Sequence, residues 1–77
     1  MATKMIVQFS APEGYGKTKL EVAFAKFCAL HGVEAILPPD PQRAEFEAMS
    51  IEQLMAEVAA KGASVMIMES NAVPRAR

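Results

Sequence analysis

The stretch Ala11-Pro12-Glu13-Gly14-Tyr15-Gly16-Lys17-Thr18 constrains this chain more than any other. A short apolar run, Met5-Ile6-Val7-Gln8-Phe9, leads into it, and a helical pattern leaves it. An Ala or Gly, four residues, then Gly-Lys-Thr is the spacing of a phosphate-cradling loop. The residue types suit that chemistry. Gly14 and Gly16 can take positive φ, so that the chain wraps an anion with its N–H groups turned inward. Lys17 supplies an ammonium, Thr18 a hydroxyl for a magnesium ion, and the helix that follows adds unpaired N–H groups and a positive dipole end. Tyr15 sits within the same loop. A chain this short matches the pattern by accident on the order of once in two hundred. The competing reading is a glycine-rich turn with a solvated lysine. Ala11 stands where glycine is usual, and Glu13 brings a carboxylate close to the anion site.

With 77 residues the chain is expected to be one domain over residues 1–70 with a tail over residues 71–77. A chain of that size has little interior, and partner subunits often make up the difference. Apolar residues form 52% of it and charged residues 22%, a composition that folds rather than stays disordered. The net charge of −1 gives no overall field toward nucleic acid or anionic lipid. With no Trp and one Tyr, stacking platforms for bases are scarce, so nucleic acid is not expected as a partner of this chain alone. No apolar run is long enough for a secretory leader or a membrane span. Cys28 has no second cysteine to pair with, which fits a reducing, cytoplasmic setting. One His and one Cys make a zinc site implausible.

In chain order, residues 4–9 read as a strand and residues 17–31 as a helix. The helix carries an apolar stripe of Leu20, Ala23, Phe24, Phe27, Cys28 and Leu30, widened by Val22, Ala25 and Ala29. Its far side is therefore expected to be covered by another subunit. Gly32 suits the position after the helix end, with His31 in the last turn. Residues 33–37 read as a second strand, broken by Pro38-Pro39-Asp40-Pro41. Asp40 can cap a short helix that starts at Pro41 and runs through Met49. Ser50 and Gln53 form a capping-box signature for a helix over residues 51–61, with Ile51, Leu54, Met55 and Val58 on one face and Gly62 at its end. Residues 64–68 read as a third strand, closed by Glu69. Alternating strands and helices predict an α/β fold: a three-stranded parallel sheet, order 2-3-1 favoured, with helices on both faces. Ligands of such sheets bind beyond the carboxyl ends of the strands, where both the 11–18 loop and Glu69 would lie.

From these residues the chain resembles the P-loop NTPases, and within them a truncated, degenerate RecA-family ATPase core. Pro12-Glu13 and Gly16-Lys17-Thr18 are similar to that family's Gly-Pro-Glu-Ser-Ser-Gly-Lys-Thr. Val65-Met66-Ile67-Met68-Glu69-Ser70 resembles its apolar strand ending in Asp-Ser, and Ala72-Val73-Pro74-Arg75-Ala76 the segment after it. The resemblance implies ATP binding at Gly14, Tyr15, Gly16, Lys17 and Thr18, with magnesium held by Thr18 and Glu69. The departures imply little or no hydrolysis. Pro38-Pro39 stands where the family has its catalytic glutamate, with Asp40 a doubtful substitute, and nothing here matches the family's later strands, sensor residue or DNA-binding loops.

Two functions are therefore expected to compete. One is a minimal nucleotide- or phosphate-binding protein. The other is a non-enzymatic interaction or regulatory protein that keeps a vestigial loop and binds a larger protein partner. A small phosphotransferase completed in trans is a third. A homodimer is expected in any of them, through an open sheet edge or the apolar helix.

Overall fold

A computed structural model describes residues 5–70 of the chain; the expected tail over residues 71–77 and Lys4 of the first expected strand lie outside them. Three helices follow one another: α1 (Lys17–Leu30), α2 (Arg43–Glu47) and α3 (Ile51–Ala60). The two long ones begin and end where the sequence signals place them. Helix α1 closes in a Schellman turn, with the Val33 N–H donating to the Cys28 carbonyl and the Gly32 N–H to that of Ala29. Helix α3 opens on a complete capping box. Ser50 Oγ accepts the Gln53 N–H at 3.1 Å, and Gln53 Oε1 accepts the Ser50 N–H at 2.8 Å.

Helix α2 is shorter than expected at both ends. Asp40 Oδ1 does accept the Gln42 N–H at 2.9 Å. The turn it opens closes more tightly, however, from the Arg43 N–H to the Asp40 carbonyl, so Pro41 and Gln42 form a turn and the helix starts at Arg43. Arg43 also donates to the Pro38 carbonyl, tying the proline segment to the helix.

The fold class differs from the sequence expectation. Among the described residues no strand forms: residues 5–9, 33–37 and 64–68 carry no ladder, and the three-stranded parallel sheet is corrected to three helices joined by irregular segments. The reason lies in the helix packing. Parallel strands persist where helices cover both sheet faces. Here α1 packs directly on α3, with α2 against α1. The two long helices spend their apolar faces on each other rather than on opposite sides of a sheet.

The core also uses a different face of α1. Val22 and Ala23 are buried against Leu54 of α3, and Leu37, Phe46, Met49 and Ile51 pack around them; Val58 is buried as well. Val22, expected on an outer face available to a second subunit, is thus interior. Phe24, Phe27 and Leu30, expected in the core stripe, are exposed. The inward face runs through Lys19, Val22, Ala23 and Lys26, a spacing of three, four and seven residues that puts all four on one side of the helix. Its two lysines lie at the margins of the core. Lys19 Nζ pairs with Glu57 Oε1 at 2.6 Å, and Lys26 Nζ donates to the Glu47 carbonyl at 2.8 Å. Each keeps its charged end at the surface beside the apolar contact.

Candidate functional site

Residues 13–15 form a turn that delivers the chain to the start of α1. Gly14 has φ 88° and Gly16 φ 85°, the left-handed region in which a side chain is strained. The two glycines differ in their surroundings. A Cβ on Gly14 would meet open space, whereas one on Gly16 would lie 3.3 Å from Val58 Cγ2. Gly16 thus lets the start of α1 lie close against α3, a task independent of any ligand.

Gly16 is the N-cap of α1 and, lacking a side chain, gives the helix no side-chain cap. The first amide bonded back along the helix is that of Leu20, to the Gly16 carbonyl at 2.9 Å. The N–H groups of Lys17, Thr18 and Lys19 precede that bond and are left without a helical carbonyl. They carry the positive end of a helix of 14 residues. At α3, by contrast, Ser50 already fills the equivalent place.

An open hollow of about 640 Å³ lies at this end of α1, lined by Gly14, Gly16, Lys17 and Thr18 of the expected site and by Pro38, Asp40, Phe46 and Lys61 from the other elements. Lys17 is half-buried and, among the described residues, has no ion pair or side-chain hydrogen bond. Lys19 lines the same hollow but is occupied, paired with Glu57 and placed 5.7 Å from the centre of the Phe46 ring. Glu13, Glu21 and Asp40 also line it, so a bound anion would need to sit on the N–H groups and Lys17, away from the carboxylates. Tyr15 lines a second, smaller hollow of about 150 Å³ with Phe9, Leu20, Val58 and Val65, which also touches Gly16 and Lys17.

Glu69 lies at the end of the run expected as the third strand. It is exposed in the irregular segment after α3 and lines neither hollow, so it is not brought together with Thr18 around either. Among the described residues no group of three or more His, Cys, Asp or Glu side chains is arranged to hold a metal. The sequence reading missed Lys61 and Phe46 as lining residues. Nothing local to either signals that role; they arrive through the packing of α2 and α3 on α1. No described helix is long and apolar enough to cross a membrane. Neither a family model, nor a curated protein, nor a solved structure matches this chain.

Proposed function

We propose that this chain binds a phosphate-bearing ligand at the start of α1, ATP being the candidate the resemblance implies, and hydrolyses it little or not at all. The observation that supports this most is the uncapped helix N-terminus beside an unpaired Lys17. A phosphate there would accept from the Lys17, Thr18 and Lys19 N–H groups and from the ammonium, each a charge-assisted bond. Binding in this form needs no protein ligand to a metal. Little hydrolysis follows from the resemblance, in which Pro38-Pro39 stands where the family has its catalytic glutamate. Asp40, the doubtful substitute, has one oxygen engaged by the Gln42 N–H. The lone Cys28 suits a cytoplasmic setting.

Calorimetry with ATP, and separately with inorganic phosphate, on the wild type and Lys17→Ala tests this. Loss of one charged hydrogen-bond donor is worth about 1.5–3 kcal/mol, so affinity should fall at least tenfold. A wild type that binds neither ligand, or a Lys17→Ala variant that binds as well, refutes the reading. Phosphate release well above background and lost in Lys17→Ala would show that a base is present after all.

The second reading, an interaction protein, is favoured by a separate observation. The apolar runs on either side of the helices are exposed, a surface suited to another protein rather than to solvent.

A further inference from the structure

Lys17, Lys19 and Lys61 all line the hollow at the start of α1. Lys17 and Lys61 have no ion pair or side-chain hydrogen bond among the described residues, whereas Lys19 Nζ lies 2.6 Å from Glu57 Oε1. Glu57 lines neither hollow, so this ammonium is turned to a carboxylate outside the site. It is not turned far. The same Nζ is 5.7 Å from the centre of the Phe46 ring, which does line the hollow. The charge balance of the hollow depends on this pair. Its lining also holds the carboxylates Glu13, Glu21 and Asp40. With Lys19 neutralised by Glu57, carboxylates outnumber the remaining lysines among the described lining residues; with Lys19 released, the two signs balance.

We propose that Glu57 regulates the anion site as a positioning residue: it holds Lys19 off a bound phosphate and so keeps the affinity low. The inference rests on the phosphate reading of this hollow. The pair is strong enough to hold Lys19 in the empty site and weak enough to yield. Its side chains are 24% and 47% exposed, and an ion pair that open to water contributes little net. The lysine stem is flexible and its three donors can turn. A phosphate on the Lys17, Thr18 and Lys19 N–H groups offers this ammonium a charge-assisted bond in exchange, but only once Glu57 gives it up. Lys19 belongs to α1 and Glu57 to α3. The anion and the bridge between the two long helices therefore compete for one ammonium, and removing Glu57 settles that competition in favour of the anion.

Calorimetry with inorganic phosphate on the full chain tests it, with far-ultraviolet circular dichroism and the melting temperature as checks on folding. Glu57→Gln should tighten binding about threefold, within what a part-exposed ion pair is worth, while the melting temperature stays level or falls. A merely structural Glu57 would move stability and affinity down together. Glu57→Asp keeps the charge and should bind as the wild type does. Adding Lys19→Met to Glu57→Gln should abolish the gain, because no ammonium is left to release. Glu34→Gln makes the same charge change at an exposed residue lining neither hollow and should leave affinity unchanged. Should Glu57→Gln lose helical signal, Lys19→Met alone decides: it strands the Glu57 charge beside the site, and affinity should fall about threefold. A wild type that binds phosphate with a Glu57→Gln variant that binds no tighter overturns the inference alone. So does a gain that persists without Lys19, a gain matched by Glu34→Gln, or a folded Lys19→Met variant with wild-type affinity. If neither the wild type nor Glu57→Gln binds phosphate, the reading beneath it falls and takes the inference with it.

Discussion

Gly16→Ala is the substitution whose cost the structure allows to be worked out most closely. Two effects add at this position. The first is backbone strain: φ is 85°, and a non-glycine residue in the left-handed region costs roughly 1–2 kcal/mol. The second is crowding, because the new methyl would stand 3.3 Å from Val58 Cγ2 and 3.7 Å from Val58 Cα. Val58 is buried on a helix that also anchors Leu54 in the core, so α3 has little room to retreat. Mild overpacking of this kind costs about 1 kcal/mol, the low end of its usual range. Gly14→Ala isolates the first effect, since φ there is 88° with open space around the added methyl. At about 4–8 °C per kcal/mol for a domain this small, Gly16→Ala should melt about 4–8 °C below Gly14→Ala in thermal denaturation followed by circular dichroism. Truncating the neighbour should relieve only the crowding. In a cycle with Val58→Ala, the double variant should therefore be about 1 kcal/mol less destabilised than the sum of the two singles. Equal melting of the two glycine variants, with no coupling to Val58, would show that α1 does not start against α3.

Ser50→Ala removes one half of the capping box and should cost about 1 kcal/mol in urea denaturation; no change would mean that the start of α3 is not held by this side chain. Leu54→Ala empties the best-buried position of the core and should cost about 2–5 kcal/mol, enough to leave a chain with so small a core largely unfolded by circular dichroism at room temperature. Because Glu69 lines neither hollow, Glu69→Gln and chelation of magnesium should each change ATP affinity less than about threefold, well under the 1.4 kcal/mol that a tenfold change represents. A larger loss in both would bring Glu69 back to the site.

The helices were legible because their signals are local. Ser50 and Gln53 stand three apart, and Gly32 and Gly62 follow the last helical turns, so both ends of α3 and the end of α1 could be placed from a few residues each. The strands were not legible, because a continuous apolar run states only that a segment needs cover. Whether residues 5–9 and 64–68 become a sheet depends on what covers them, and α1 and α3 cover one another instead. The orientation of α1 failed for a related reason. With Val22, Ala23, Phe24, Ala25, Phe27, Cys28 and Ala29 in one helix, apolar character points in almost every direction. The charged positions decided the face, in the opposite sense to the usual one: Lys19 and Lys26 flank the buried side because Glu57 and the Glu47 carbonyl lie there to receive them. Those partners are 38 and 21 residues away in the chain, beyond the reach of any periodicity.

The same distinction divides the glycine loop itself. Gly16 is explained by the fold alone: its positive φ and its contact with Val58 would demand glycine even if no ligand ever bound. Loss of binding in a Gly16 variant would therefore say nothing about phosphate. Gly14 and Lys17 are different. A Cβ on Gly14 would meet nothing within 4 Å, and Lys17, unlike Lys19 and Lys26 on the same helix, has no carboxylate or carbonyl to hold it among the described residues. A half-buried lysine beside three unbonded N–H groups adds positive charge where the helix end already concentrates it. Packing supplies no compensation for that choice, whereas an anion would. Lys17, rather than either glycine, is thus the residue at which a structural turn and a phosphate site make different predictions, and its replacement by alanine should leave the melting temperature within a degree or two while removing the affinity.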